Sequence, residues 1–189
     1  KMAIKTMEQN TNTGLFNAGW HELTISSAAY DTYKAPSGVT KRYVEVHFEG
    51  YPETLHLRIY EAVNKETGTE FKIANLFRYA CAGIITVLQD PTGKKPVIQY
   101  DDEATNLVGT RINAFFYKVP SDDGKEYSRI FDTVAPVEQE TEHLTWTADQ
   151  VTRLKDAAEK NFTRVKGTSN GVPVVNTTTT HTDTADIPF

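Results

Sequence analysis

Hydrophobic and polar positions alternate with a period of two through much of the segment from Gly19 to Val137. In "WHELTISSAAY" (20–30), Leu23 and Ile25 alternate with Glu22 and Thr24. In "TKRYVEVHFEG" (40–50), Val44, Val46 and Phe48 share one parity, and Tyr43, Glu45 and His47 share the other. "ETLHLRIYEAV" (53–63) repeats the pattern, with Leu55, Leu57 and Ile59 against His56, Arg58 and Tyr60. Such alternation marks strands with one face buried. The Pro-Ser-Gly of "YDTYKAPSG" (30–38) predicts a loop between the first two strands, and "EGYPE" predicts a short hairpin connection between the next two. "LVGTRINAFFYKV" (107–119) and "YSRIFDTVAPV" (127–137) read as two more strands, joined by the turn "PSDDGKE".

Between the third and fourth of these strands the period changes. "TGTEFKIANLFRYACAGIITVLQ" (67–89) predicts one helix, opened by Thr67 and Glu70 in capping-box spacing. Phe71, Ala74, Phe77, Cys81, Ile84 and Leu88 follow roughly helical spacing, and "DPTGKKP" (90–96) stops it. The order is three strands, a helix and two strands. We therefore expect a mainly β (α+β) fold: a five-stranded OB-fold barrel with a helix between strands 3 and 4. Another small α+β domain is the alternative.

After Val137 the texture changes again. "EQETEH" is acidic, and "WTADQVTRLKDAAEKNFTRVKG" (146–167) predicts a C-terminal amphipathic helix. Thr147 and Gln150 form a capping box, with Trp146 and Val151 spaced as a hydrophobic staple. Val151, Leu154, Ala158, Phe162 and Val165 make a single apolar stripe, which must dock on the barrel, on a second copy of the chain or on a partner. The Thr-rich stretch after it reads as a disordered tail. The expected organisation is a flexible N-terminus (1–14), an OB-fold domain (15–137), an acidic linker with the helix (138–166), and a disordered tail carrying a partner-binding tip (167–189).

Composition narrows the function classes. The 189 residues are 39% hydrophobic and 24% charged. No apolar run approaches the roughly 18 residues of a membrane span. "KMAIKTMEQNTNTG" has no apolar stretch of a signal peptide, and a single cysteine, Cys81, excludes an internal disulfide or a cysteine-based zinc site. A reducing cytoplasm is the expected compartment. Net charge is −5, and residues 1–135 carry 15 Lys and Arg against 17 Asp and Glu, near −2. Any nucleic-acid contact must then come from a local patch.

The strand alternation supplies one. Tyr43 and His47 share an outward face with His56, Arg58 and Tyr60, with Lys41 and Arg42 at its edge. Tyr33 and Lys34 fall in the predicted loop between strands 1 and 2, and Arg111, Phe115 and Tyr117 share the outward parity of strand 4. Aromatic faces stack on any base and cations track phosphates, so these residues are the candidate single-stranded DNA contacts. Taken singly, each tyrosine reads as an ordinary surface or core-edge aromatic; the case rests on their joint placement. His47 and His56 could approach across a hairpin, but no carboxylate or cysteine spacing completes a metal site. Asp101, Asp102 and Glu103 read as a solvated loop, and Cys81 as core. No phosphate-binding glycine loop, nucleophile elbow or HExxH motif is present, so we expect a binding protein without cofactor or metal rather than an enzyme.

The chain closes on "HTDTADIPF" (181–189). Asp186, Ile187, Pro188 and Phe189, with Asp183 upstream, resemble the C-terminal tip of bacterial single-stranded DNA-binding proteins. That family joins an OB barrel to a disordered linker and an acidic tip that docks replication and repair proteins. The tip here carries only two acidic residues, Asp183 and Asp186, where the bacterial tip has a run of them. The barrel looks more like the diverged OB proteins of bacteriophages. The resemblance implies a sequence-tolerant single-stranded DNA-binding protein of phage replication or recombination, acting in the host cytoplasm and recruiting partners through 183–189. The alternative is an OB-like interaction module that never touches DNA and mimics the bacterial tip to engage host enzymes.

Overall fold

The computed structural model describes residues 16–88 and 96–167. Nine strands and two α-helices occur among these residues: β1 (Gly19–Lys34), β2 (Thr40–Phe48), β3 (Leu57–Tyr60), α1 (Lys72–Ala80), β4 (Ile84–Leu88), β5 (Val97–Tyr100), β6 (Arg111–Pro120), β7 (Glu126–Ala135), β8 (Gln139–Glu140), β9 (Thr145–Trp146) and α2 (Ala148–Gly167). The main sheet is five-stranded and antiparallel throughout, in the order β3-β2-β1-β6-β7. The expectation of a mainly β fold with a five-stranded sheet and a C-terminal helix holds at that level.

The long first strand ties the sheet together. Its residues Gly19–Thr24 pair with β6, and Ile25–Lys34 pair with β2. A register shift between Ile25 and Ser27 marks a bulge at the change of partner. One inserted residue reverses the parity of side chains along a strand. Leu23 and Ile25 point inward before it, whereas Ala28 and Tyr30 are the half-buried positions after it, which leaves Asp31 and Tyr33 outside. Inward-facing Ile25, Val44, Val46, Ile112 and Phe116 are fully buried, and Ile73, Leu76 and Phe77 of α1 complete the core beside them.

The predicted 67–89 helix is corrected on three points. Its cap is Glu70 alone: the carboxylate accepts the N–H groups of Lys72, Ile73 and Ala74 at 2.8, 2.9 and 2.9 Å. Thr67 Oγ1 instead accepts the nearby Thr69 N–H at 3.3 Å. The helix stops at Ala80, where Cys81 turns left-handed (φ 52°) and the Ala82 N–H bonds back to the Phe77 carbonyl at 2.9 Å. This is the Schellman closure, with a cysteine in the place glycine usually takes. Gly83 follows at φ +62°, and a Cβ there would lie 2.3 Å from the Asp101 carbonyl oxygen. The β-branched run Ile84–Val87 then leaves as β4 and pairs with β5. Helix followed by strand had mimicked one continuous stripe; its two ends, Phe71 at the helix N-cap and Leu88 on β4, are 44% and 47% exposed.

The 138–146 stretch is no mere linker. β8 and β9 pair as a small hairpin, and Trp146 is buried against Tyr79 at 5.5 Å between ring centroids. Thr147 and Gln150 make the predicted capping box: the Thr147 N–H reaches Gln150 Oε1 at 2.9 Å, and the Gln150 N–H reaches Thr147 Oγ1 at 3.4 Å. Val165 at the end of the α2 stripe is 48% exposed, and the rest of the stripe packs against the sheet. Val151, Leu154 and Ala158 are buried there. Asp183, Asp186, Ile187, Pro188 and Phe189 lie outside the described residues, as do the tail and the N-terminal segment 1–14. Among the described residues no helix is long and apolar enough to cross a membrane.

Candidate nucleic-acid interface

The β2–β3 hairpin pairs Tyr43 with Tyr60 and Glu45 with Arg58. Directly opposite residues on antiparallel strands share a face, and β1 adds Asp31 opposite Tyr43 and Tyr33 opposite Lys41. The outer face of these three strands therefore gathers Tyr33, Lys41, Tyr43, His47, His56, Arg58 and Tyr60, seven of the twelve residues the alternation pointed to. The Tyr43 and Tyr60 rings lie 5.1 Å apart, and Tyr33 meets Tyr60 edge-on at 6.4 Å. These tyrosines are not equivalent. Tyr43 is only 6% exposed, and its hydroxyl donates to Asp31 Oδ2 at 3.0 Å, whereas Tyr33 is 47% exposed. Tyr43 is thus the floor of the patch, and Tyr33 and Tyr60 are the rings with surface to offer a base.

Arg58 sits over the Tyr43 ring, its guanidinium carbon 5.3 Å from the centroid, and its Nε donates to Glu45 Oε2. The same carboxylate meets His47 Nε2 at 3.1 Å and His56 Nε2 at 3.8 Å. The two imidazoles lie 5.5 Å apart, and the buried His47 Nδ1 has no hydrogen-bond partner among the described residues. Partial burial works to raise the Glu45 carboxyl, but the hydrogen bonds from Arg58 and His47 and the adjacent charges outweigh it and hold it below the usual glutamate range. The bond to Glu45 raises the Arg58 guanidinium. The Asp31 carboxyl is held low by the Thr32 N–H and then by the Tyr43 hydroxyl.

The other five candidates go elsewhere. Tyr33 and Lys34 are strand rather than loop, because the turn is confined to 35–39 by the Ala35–Val39 and Gly38–Ala35 backbone bonds, both 2.8 Å. Lys34, opposite Thr40, then has the parity opposite to Tyr33. Arg42 also turns to the other side of β2. Its guanidinium stacks on Tyr30 at 3.7 Å and reaches Asp102 at 3.6 Å, in a cleft of about 210 Å³. Burial and then the Asp102 charge push the Tyr30 hydroxyl up to about 12. Arg111 is paired with Glu22 across β1 and β6 at 2.7 Å.

Phe115 and Tyr117 do point outward from β6, but into a second aromatic cluster. Phe162 of α2 meets Phe115 at 5.0 Å, Tyr117 at 5.2 Å and Phe131 at 5.2 Å. Trp20 packs on Phe115 at 5.4 Å and donates its indole N–H to Glu159 at 2.6 Å. Lys155 and Lys166 lie over the Trp20 and Tyr117 rings at 5.6 and 5.0 Å. Two residues of the open face escaped the sequence reading as contributors: Asp31 and Glu45. Glu45 was already assigned the parity of Tyr43 and His47, so the signal was present; pairing it with Arg58 required the hairpin register.

Among the described residues no group of three His, Cys, Asp or Glu side chains is arranged to hold a metal ion. The chain matches no protein-family model and no curated protein sequence.

Proposed function

We propose that this protein binds single-stranded DNA without strong sequence preference, across the outer face of β1, β2 and β3. The observation that carries the reading is the run Tyr33–Tyr60–Tyr43 with Arg58 and Lys41 on one outward face. Stacking rings and cations in that arrangement take any base and any phosphate. The sheet order supports an OB-type scaffold: bringing β3 against β7 would close β3-β2-β1-β6-β7 into a five-stranded barrel. With the resemblance of Asp186–Phe189 to the bacterial tip, the reading extends to a phage-type protein that coats strands in replication or recombination and recruits partners through 183–189. The near-neutral charge of residues 1–135 keeps a second reading in play, an interaction module that mimics the tip without binding DNA.

A mobility-shift titration with labelled oligo-dT and the matching duplex, at two salt concentrations, tests it. Oligo-dT and unrelated single strands should bind within a few-fold of each other, with duplex much weaker and affinity falling as salt rises. Equal affinity for duplex and single strand would sink the face as a strand-binding groove. No binding to either would leave the mimic. For the tip, Phe189→Ala and deletion of 183–189 should abolish capture of purified replication or repair enzymes while strand binding stays intact or tightens modestly at low salt. Partner capture that persists with lost strand binding would place those residues in the DNA site instead.

A further inference from the structure

Glu45 stands at the centre of the face offered to strand phosphates, and its charge is of the wrong sign to attract them. It is not an idle neighbour. Arg58 Nε, His47 Nε2 and His56 Nε2 all converge on its two oxygens, so of the nitrogen-bearing side chains on that face only Lys41 is not drawn to it. Glu45 is the only ion-pair partner of Arg58 among the described residues. A phosphate approaching Arg58 therefore meets a neutral pair rather than a free cation, and it meets the carboxylate at nearly the same distance. Arg58 is 45% exposed, so release from Glu45 would leave it solvated rather than stranded in the interior.

Building on the strand-binding reading, we infer that Glu45 is an intramolecular competitor for phosphate: it holds Arg58, His47 and His56 until a strand displaces it, and so sets the affinity and salt dependence of the face. The consequence is a deliberately moderate grip, in which the rings hold the strand and the charges contribute only what remains after Glu45 has been displaced. The opposite role, a clip that orients Arg58 towards phosphate, predicts the opposite sign on removing the charge.

Glu45→Gln, Arg58→Ala and the double variant separate these roles in the full chain, with oligo-dT as the probe and thermal unfolding monitored for each protein. Glutamine keeps the size and an acceptor oxygen. Glu45→Gln should bind oligo-dT about five- to tenfold tighter at about 50 mM salt, the gain shrinking towards about 200 mM. Its salt slope should steepen by about 0.7, the value of one more phosphate contact on a single strand. Most of the gain should vanish when Arg58 is alanine, because the freed cation is the source of it. Binding by the unsubstituted protein that Glu45→Gln leaves equal or weaker overturns this inference alone, as does a gain undiminished in the Arg58→Ala background. Absence of strand binding by the unsubstituted protein overturns it together with the function proposed above.

Discussion

Two regions of the outer sheet surface carry nearly the same chemistry and meet different fates. Over β1, β2 and β3, tyrosines alternate with cations, and Tyr33 and Arg58 remain open to solvent. Over β6, β7 and the first residues of β1, Trp20, Phe115, Tyr117 and Phe131 are at least as aromatic, but Phe162 of α2 sits among them. The difference lies in cover rather than residue type. An outward aromatic beneath a docked helix stabilises the fold; the same aromatic on a bare strand is available to a ligand. Outward parity alone therefore does not define a binding face. The strand must also lack a distant segment that packs on it.

The largest test of this contrast removes the cover. Phe162→Ala should cost about 2–3 kcal/mol of folding stability in urea titration, somewhat below a fully buried phenylalanine because the ring is only half-buried. Oligo-dT affinity should stay within about twofold, since well-separated sites seldom couple. A small stability loss with a large affinity change would mean that the covered face is itself part of the DNA site.

Next, one tyrosine from each region can be exchanged. Tyr60→Ala should lose about 1–3 kcal/mol of single-strand affinity with the fold intact. Tyr117→Ala should lose about 1–2 kcal/mol of stability and leave affinity alone. If the two effects come out reversed, the open and covered faces have been misassigned. Arg58→Ala and Arg111→Ala make a finer pair. The first should weaken strand binding but flatten the salt slope by less than about 0.7, the value of a free contact, because Glu45 already masks the charge, while the second, tied to Glu22 on the far part of the sheet, should change neither.

The smallest effect is the share of the pH dependence that the open face contributes. The Glu45 carboxyl is held low in the folded protein, so its contribution to stability is complete above the ordinary glutamate range and is lost as pH falls through the lower folded value. Asp31 acts with the same sign. The unsubstituted protein should therefore lose stability more steeply than Glu45→Gln as pH drops below about 4.3. Parallel denaturation curves for the two proteins across that window would mean that the convergence on Glu45 contributes nothing measurable to folding.

Local pattern reaches far in this chain where the governing contacts are themselves local. Val44, Val46 and Phe48 against Tyr43, Glu45 and His47 determined both faces of β2, and a short connection to the Leu57 and Ile59 run brought Arg58 and Tyr60 to the same side. The capping box of α2 was legible for the same reason, since Thr147 and Gln150 are three residues apart. The end of α1 was not: it lies at Ala80, where Cys81 turns left-handed and Gly83 passes close under the Asp101 carbonyl, a contact across the β4–β5 hairpin. Nor could a period of two locate the bulge near Ser27, where β1 changes partner from β6 to β2 and turns Tyr33 outward. The covering of Phe115 and Tyr117 by Phe162 was equally invisible. Alternation states which way a side chain leaves its own strand. Whether another part of the chain is waiting there depends on contacts between residues far apart in sequence, and only the folded structure holds those.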